Sequence, residues 1–217
     1  MLWYYFCSGE SKGNIFEIIA SMTDLNKIIK IKTNDMRPAR GKILISEPLL
    51  SDNYFKRSVV LLAEHNEEGS FGIILNKPVD NKFNEIVTDF PHYSGPLFLG
   101  GPVSNSSLFF IHTLGDMIEN SQQITDGLYW GGDIESVREL LMLKKISINQ
   151  IRFCVGYSGW GKNQLEDELK RNSWLVSNLS PEVLMNTSPE NLWADALRKL
   201  DNQYSYWTNF PTDPGLN

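Results

Sequence analysis

The residues of this chain that could carry chemistry are few. Ser158 stands in Gly156-Tyr157-Ser158-Gly159-Trp160-Gly161, after an apolar run and before a polar stretch of helical spacing. A serine on a strand-to-helix turn is the setting of a hydrolase nucleophile. That turn needs glycine two residues after the serine, and Trp160 occupies the place. Cys154 lies in the apolar run Ile151-Arg152-Phe153-Cys154-Val155, where a thiol stays protonated and packs as a small hydrophobe. Arg57 precedes an apolar run and is free to pair with Glu64, with Glu168 or with a bound anion. His65, His92 and His112 lack metal-ligand spacing, such as two positions four apart on a helix. No metal and no cofactor is expected.

Three readings of residues 156–161 stay open at this point. One is a hydrolase using Ser158 or Cys154. Another is a tight turn whose glycines bend the backbone while Trp160 packs. The third is a binding surface, because successive backbone N–H groups at a helix start can hold an anion. Gln164 and Glu168, four apart, share a helix face beside Trp160 and suit either a polar ligand or a neighbouring loop. Leu165 and Leu169 take the inward face. Gly100-Gly101-Pro102 and Gly131-Gly132-Asp133 sit at strand ends, where paired glycines permit close backbone approach. His65, beside Glu64, suits a hydrogen-bonding role.

These residues need elements to hold them. Val59 to Leu62 and Ile73 to Leu75 are β-branched or leucine, which predicts two buried strands. Asn66-Glu67-Glu68-Gly69 between them predicts a four-residue hairpin loop, with Gly69 left-handed. Further strands are predicted over 42–45, 97–99, 108–112, 127–130, 150–155 and 174–176. Pro78 should stop the second hairpin strand. Short helices are predicted over 81–89 and 162–171. Asp133 is an N-cap for a helix whose apolar stripe is Ile134, Val137, Leu140 and Leu141, with Lys144 and Lys145 in its last turn. Ser180-Pro181-Glu182 and Ser188-Pro189-Glu190 each read as cap, first-turn proline and first-turn acid. Leu25, Ile28 and Ile29 have helical spacing. Strands and helices without strict alternation mean an α+β fold with mixed, largely antiparallel pairing.

Composition bounds the function. The chain has 217 residues, a net charge of −6 and a pI near 5.1. Phosphate binding by DNA-binding proteins depends on Lys and Arg, so an acidic chain argues against nucleic acid. Residues 1–42 hold seven Lys/Arg against four Asp/Glu, among them Lys27, Lys30, Lys32, Arg37, Arg40 and Lys42. That leader is the one place where DNA could bind; the other reading is a solvated segment. Two distant cysteines, Cys7 and Cys154, fit a reducing compartment. No apolar run approaches membrane-spanning length, and the first residues do not form a signal peptide. Residues 1–21 are expected to be an atypical, loosely packed N-terminal extension, and 22–217 a single domain.

Taken in order, GKILISEP (41–48), RSVVLLAEH (57–65), GIILNKP (72–78), LGGPV (99–103), LYWGGD (128–133) and GYSGWGKNQLEDEL (156–169) resemble the AlgH/YqgE family. The resemblance runs from about residue 40 to residue 200. It implies a bifurcated sheet curled into a pseudo-barrel with helices outside, a cytoplasmic bacterial protein, and the label of transcriptional regulator without a defined reaction. Asn163 and Ser158 depart from the usual pattern, where glycine and alanine are more common. The resulting expectation is a regulatory module that binds a protein partner or a small polar ligand; the alternatives are direct DNA binding and the hydrolase. The expected site is a shared recess of the 57–65 strand, the 100–102 loop and the 156–168 turn and helix. Its residues are Arg57, His65, Asn76, Gly100, Gly101, Pro102, Tyr157, Trp160, Gln164 and Glu168.

Overall fold

Short apolar runs build the first three strands, β1 (Ile43–Ser46), β2 (Val59–Asn66) and β3 (Gly69–Ile74). All four residues of β1 and the first five of β2 are buried, as runs without alternation require when both sheet faces are covered. The hairpin loop is shorter than the sequence predicts. Asn66 pairs with Gly69, so only Glu67 and Glu68 turn, and Gly69 has φ 146°. In this computed structural model residues 34–200 and 202–211 are described. They belong to one unit, Thr33–Asn217. The expectations for residues 1–21, for the helical pattern at Leu25, Ile28 and Ile29, and for Lys27, Lys30 and Lys32 lie outside the described residues.

Seven more strands complete the sheet: β4 (Pro78–Lys82), β5 (Pro96–Leu99), β6 (Val103–His112), β7 (Gln122–Thr125), β8 (Leu128–Trp130), β9 (Ile151–Gly161) and β10 (Trp174–Ser177). The order is β10-β1-β2-β3-β9-β6-β8-β7, with β5 and then β4 branching from β9. Only β5 against β9 is parallel among the described pairings; the rest are antiparallel. The fold is therefore α+β with a mixed, largely antiparallel, bifurcated sheet. It does not close into a barrel, since the path ends on β10 and β7 without joining them.

Two differences from the sequence reading matter for the site. Pro78 opens β4 instead of merely ending β3, and proline is tolerated there because it is the first residue of a strand. The stretch 156–161 is no turn: β9 runs straight through it to Gly161. Gly156 has φ 71° beside a bulge in which Val103 to Leu108 of β6 span only Tyr157 to Val155. Beyond it the side chains alternate normally.

Helices cover the faces: α1 (Phe83–Ile86), α2 (Ile134–Met142), α3 (Gln164–Lys170), α4 (Pro181–Asn186), α5 (Pro189–Lys199) and α6 (Asn202–Ser205). Asp133 caps α2, accepting the Ser136 N–H at 2.8 Å. Lys144 and Lys145 fall past its end, because Lys144 takes φ 54°. Their N–H groups then reach the carbonyls of Leu141 (3.0 Å) and Leu140 (2.8 Å) and close the helix. Ser180 caps α4 on the Val183 N–H, with Pro181 at the first helical turn. Two clusters of the core lie near the strands that matter for the site. Phe83, Phe90, Tyr93, Phe110 and Phe153 pack in one, and Leu62, Ile74, Trp160, Leu165 and Trp174 in the other.

Candidate functional site

The register of β9 on β3 builds a groove. Gly161 lies opposite Gly69 and Gly159 opposite Phe71. Paired positions point to the same face, so three of these four residues leave that face bare of side chains. Glu64 pairs with Phe71 and Asn66 with Gly69, which brings β2 to the same face. The result is an open groove of about 430 Å³ lined by Glu64, Asn66, Glu68, Phe71, Tyr157 and the three glycines, among others. Phe71 and Tyr157 form one wall, their rings 4.7 Å apart. Trp130 (4.9 Å from Phe71) and Phe109 (5.7 Å from Tyr157) back them. The opposite rim is carboxylate and amide. Glu64 accepts from the Asn66 amide at 2.8 Å, and Asn66 accepts the Glu68 N–H at 2.9 Å.

The glycines of this region differ in what holds them. A side chain on Gly69, Gly100 or Gly101 would drive into the backbone of residues 156–161. Those glycines are needed by the fold. Gly159 and Gly161 have ordinary backbone angles; a Cβ on Gly159 would only touch the Tyr157 ring at 3.4 Å, and one on Gly161 would approach Gln164 Oε1 at 3.9 Å. Nothing within the described chain requires them to be small.

The opposite face of β9 is scaffold. Trp160 is 5% exposed and packs against Phe55 and Trp174, each ring centroid 6.0 Å away. Its indole N–H donates to Glu168 Oε2 at 2.9 Å, and the Trp174 indole donates to the same oxygen at 2.7 Å. Gln164 donates to Glu168 Oε1 at 3.1 Å and accepts the Gly161 N–H at 3.0 Å. Gln164 and Glu168 therefore hold the groove floor from behind. His65 sits on this face, bonded to Ser70 Oγ at 2.8 Å, with Glu166 at 3.8 Å. Ser158 is fully buried, its hydroxyl donating to the Gly100 carbonyl at 3.1 Å. Burial pushes the Cys154 thiol up to about 12. Both are enclosed in the fold and present no nucleophile to solvent.

The shared recess of the sequence reading divides. Arg57 lies at the far, open end of the β2–β3 hairpin. Its guanidinium stacks over Trp193 at 4.9 Å and donates to the Phe210 carbonyl. It pairs with neither Glu64 nor Glu168, whose hydrogen bonds lie at the tip. Asn76 clasps that open end, accepting the Val59 N–H at 2.8 Å and donating to the Arg57 carbonyl at 2.9 Å. Gly100 is buried; its carbonyl accepts the Ile74 N–H at 2.9 Å, and its N–H donates to Val155 at 2.8 Å. Gly101 is buried against the Tyr157–Ser158 backbone, and Pro102 is exposed beside it. Of the ten predicted residues, the Tyr157 side chain lines the groove, Trp160 reaches it only through its strand backbone, Gln164 and Glu168 support it from behind, and His65 lies on the scaffold face with Ser70. Arg57, Asn76 and the 100–102 loop belong elsewhere, because alternation and register, not chain proximity, decide the face.

Glu64, Asn66, Glu68, Phe71, Gly159 and Gly161 were missing from the predicted set. The signal was present: from Tyr157 onward every second residue is Tyr, Gly, Gly, a period-2 face lacking side chains. Among the described residues no cluster of three His, Cys, Asp or Glu could hold a metal, and no helix is long and apolar enough to cross a membrane.

Comparison with known proteins agrees with this architecture. A solution structure of the AlgH protein from Pseudomonas aeruginosa superposes with a TM-score of 0.62 at 26% identity, covering 82% of this chain and 98% of that one. A crystal structure from Corynebacterium diphtheriae matches in fold with a TM-score of 0.67 at 22% identity, covering 82% and 95%. In sequence, a UPF0301 protein of Parabacteroides distasonis is 44% identical over 200 residues, 90% of this chain and 100% of its own length. One from Chlorobaculum tepidum is 40% identical over 177 residues, 82% and 95%. The AlgH-like family model matches residues 43–205, from β1 to the end of α6, taking in the central hairpin, the branching strand β9 and every wall of the groove. The chain belongs to the AlgH-like family.

Proposed function

We propose that the protein is a non-enzymatic, cytoplasmic binding module that holds a protein partner or a small polar ligand in the groove at the β2–β3 hairpin tip, in a regulatory role. One observation carries the reading: Gly159 and Gly161 are unsubstituted where the fold leaves room for a side chain. A bare strand between an aromatic wall and a carboxylate rim lets an incoming group reach the backbone while its flanks contact Phe71, Tyr157 and Glu64. The enclosure of Ser158 and Cys154 favours binding over turnover. The single described cysteine is a buried free thiol, which suits a reducing compartment.

The test is affinity capture from the native cell with the full chain as bait, followed by quantitative mass spectrometry of proteins and small molecules. Wild type is run beside Gly161→Val and the distant control Glu190→Gln. Species retained by wild type and the control but lost by Gly161→Val, with its melting temperature unchanged, support the groove. Equal retention by all three overturns it.

A further inference from the structure

The open end of the β2–β3 hairpin gathers positive charge with no ion-pair partner among the described residues. Lys56 and Arg57 lead into β2, and Lys77 follows β3. The Asn76 clasp holds the two segments together, and the Lys77 ammonium donates to the Lys56 carbonyl at 2.6 Å. Arg57 is held at φ 51°, the left-handed region that non-glycine residues rarely occupy. Its Nε is buried and has no acceptor. The ion pairs among the described residues lie elsewhere: His65–Glu166, Arg138–Glu135, Lys170–Asp167 and Arg198–Asp195. The ammonium of Lys77 is pulled below its ordinary value first by burial and then by the charges of Lys56 and Arg57, and among the described residues no carboxylate offsets them. Buried or half-buried cations are normally paired, because desolvation and mutual repulsion both cost stability.

We propose that this end of the hairpin is an anion site that takes a phosphoryl group between Lys56, Arg57 and Lys77. A phosphate monoester carries close to two negative charges and several acceptor oxygens, which matches two point-charge ammoniums and a planar guanidinium. The group relieves the repulsion among the three cations that is felt at Lys77. A carboxylate supplies half the charge. The site is independent of the tip groove, at the other end of the same two strands, so either can fail without the other.

The test is a titration of the full-length chain with inorganic phosphate and, separately, with glycerol phosphate, followed by backbone amide shifts in NMR. Sodium chloride at equal ionic strength is the control. Saturable shifts confined to residues 56–58 and 76–78 are expected. Lys77→Met should weaken binding about tenfold or more, the worth of one charge-assisted hydrogen bond, and Lys77→Arg should restore it. Lys56→Gln is the second variant: the Lys56 side chain makes no described hydrogen bond, so its loss tests charge without touching the clasp, and weaker phosphate binding is expected. Tighter binding of glycerol phosphate than of phosphate points to an organic phosphate; equal binding points to the free anion, and both support the site. Shifts no larger than those with chloride, or unchanged affinity in Lys77→Met and Lys56→Gln, overturn it.

Discussion

The two ends of the β2–β3 hairpin are built from the same strands and differ in nearly every physical respect. At the tip the backbone is exposed, the floor is glycine and the rim is carboxylate and amide. At the open end the backbone is clasped by Asn76, the side chains are cationic and one of them is held in a left-handed conformation. The core between them is indifferent to the contrast, since Val59 to Leu62 and Ile73 to Leu75 are buried at 0–1% exposure whatever stands at either end. What separates the ends is which partner crosses next. β9 lies beside β3 at the tip and supplies residues that leave space. The loop before β2 and the chain after β3 meet at the open end and supply residues that fill it. One apolar hairpin can therefore carry two surfaces of opposite charge without either disturbing the other.

The sharpest division at the tip runs through β9 itself. If alternation divides scaffold from groove, Trp160→Ala should be severely destabilising, about 3–5 kcal/mol for truncating a buried tryptophan. Chemical denaturation of the purified variant measures this. A loss below about 1 kcal/mol would mean that the ring is peripheral and that the two faces of β9 are not distinct. The glycines give the next contrast. Gly100→Ala forces a methyl group into the Gly156 carbonyl and should cost about 1–3 kcal/mol, whereas Gly161→Ala meets only Gln164 Oε1 at 3.9 Å, an ordinary contact, and should stay within about 0.5 kcal/mol. Equal losses in the two variants would show that the floor glycines serve the fold and not an occupant.

How much of the structure is legible in the sequence follows from the same distinction between local and long-range causes. The buried strands, the Asp133 cap and the two Ser-Pro-Glu helix starts depend on neighbours a few residues away, and they were legible. β4 and β7 were not, because Pro-Val-Asp-Asn-Lys and Gln-Gln-Ile-Thr are short and polar, and only pairing makes them strands. The stretch 156–161 reads as a turn because glycine is a dominant turn residue, although Tyr157, Gly159 and Gly161 against Ser158 and Trp160 already alternate. The site was half legible for a related reason. The sequence names Tyr157, Trp160, Gln164 and Glu168 within one short segment. It cannot show that Arg57 ends at Trp193 and Phe210, since that contact crosses more than 130 residues of chain.

The smallest expected effect probes the open end through pH. Lys77 has a folded-state pKa below its ordinary 10.5, chiefly from burial and then from its two cationic neighbours. The unfolded chain therefore binds the Lys77 proton more tightly than the folded chain does. Stability contributed by this group must rise with pH in the window below 10.5 and fall as pH drops through the folded value. Replacing Lys77 by methionine removes the titrating group, so the stability of wild type relative to Lys77→Met should climb as pH is raised toward 10.5. Denaturation of both proteins across that range reads the trend as a difference, and the other lysines cancel. Phosphate gives the decisive arm. A bound dianion supplies the missing counter-charge and raises the folded pKa, so the same comparison in saturating phosphate should flatten. A slope unaffected by phosphate would mean that Lys77 is strained by burial alone, and the open end would lose its claim to be a site while the tip kept its own.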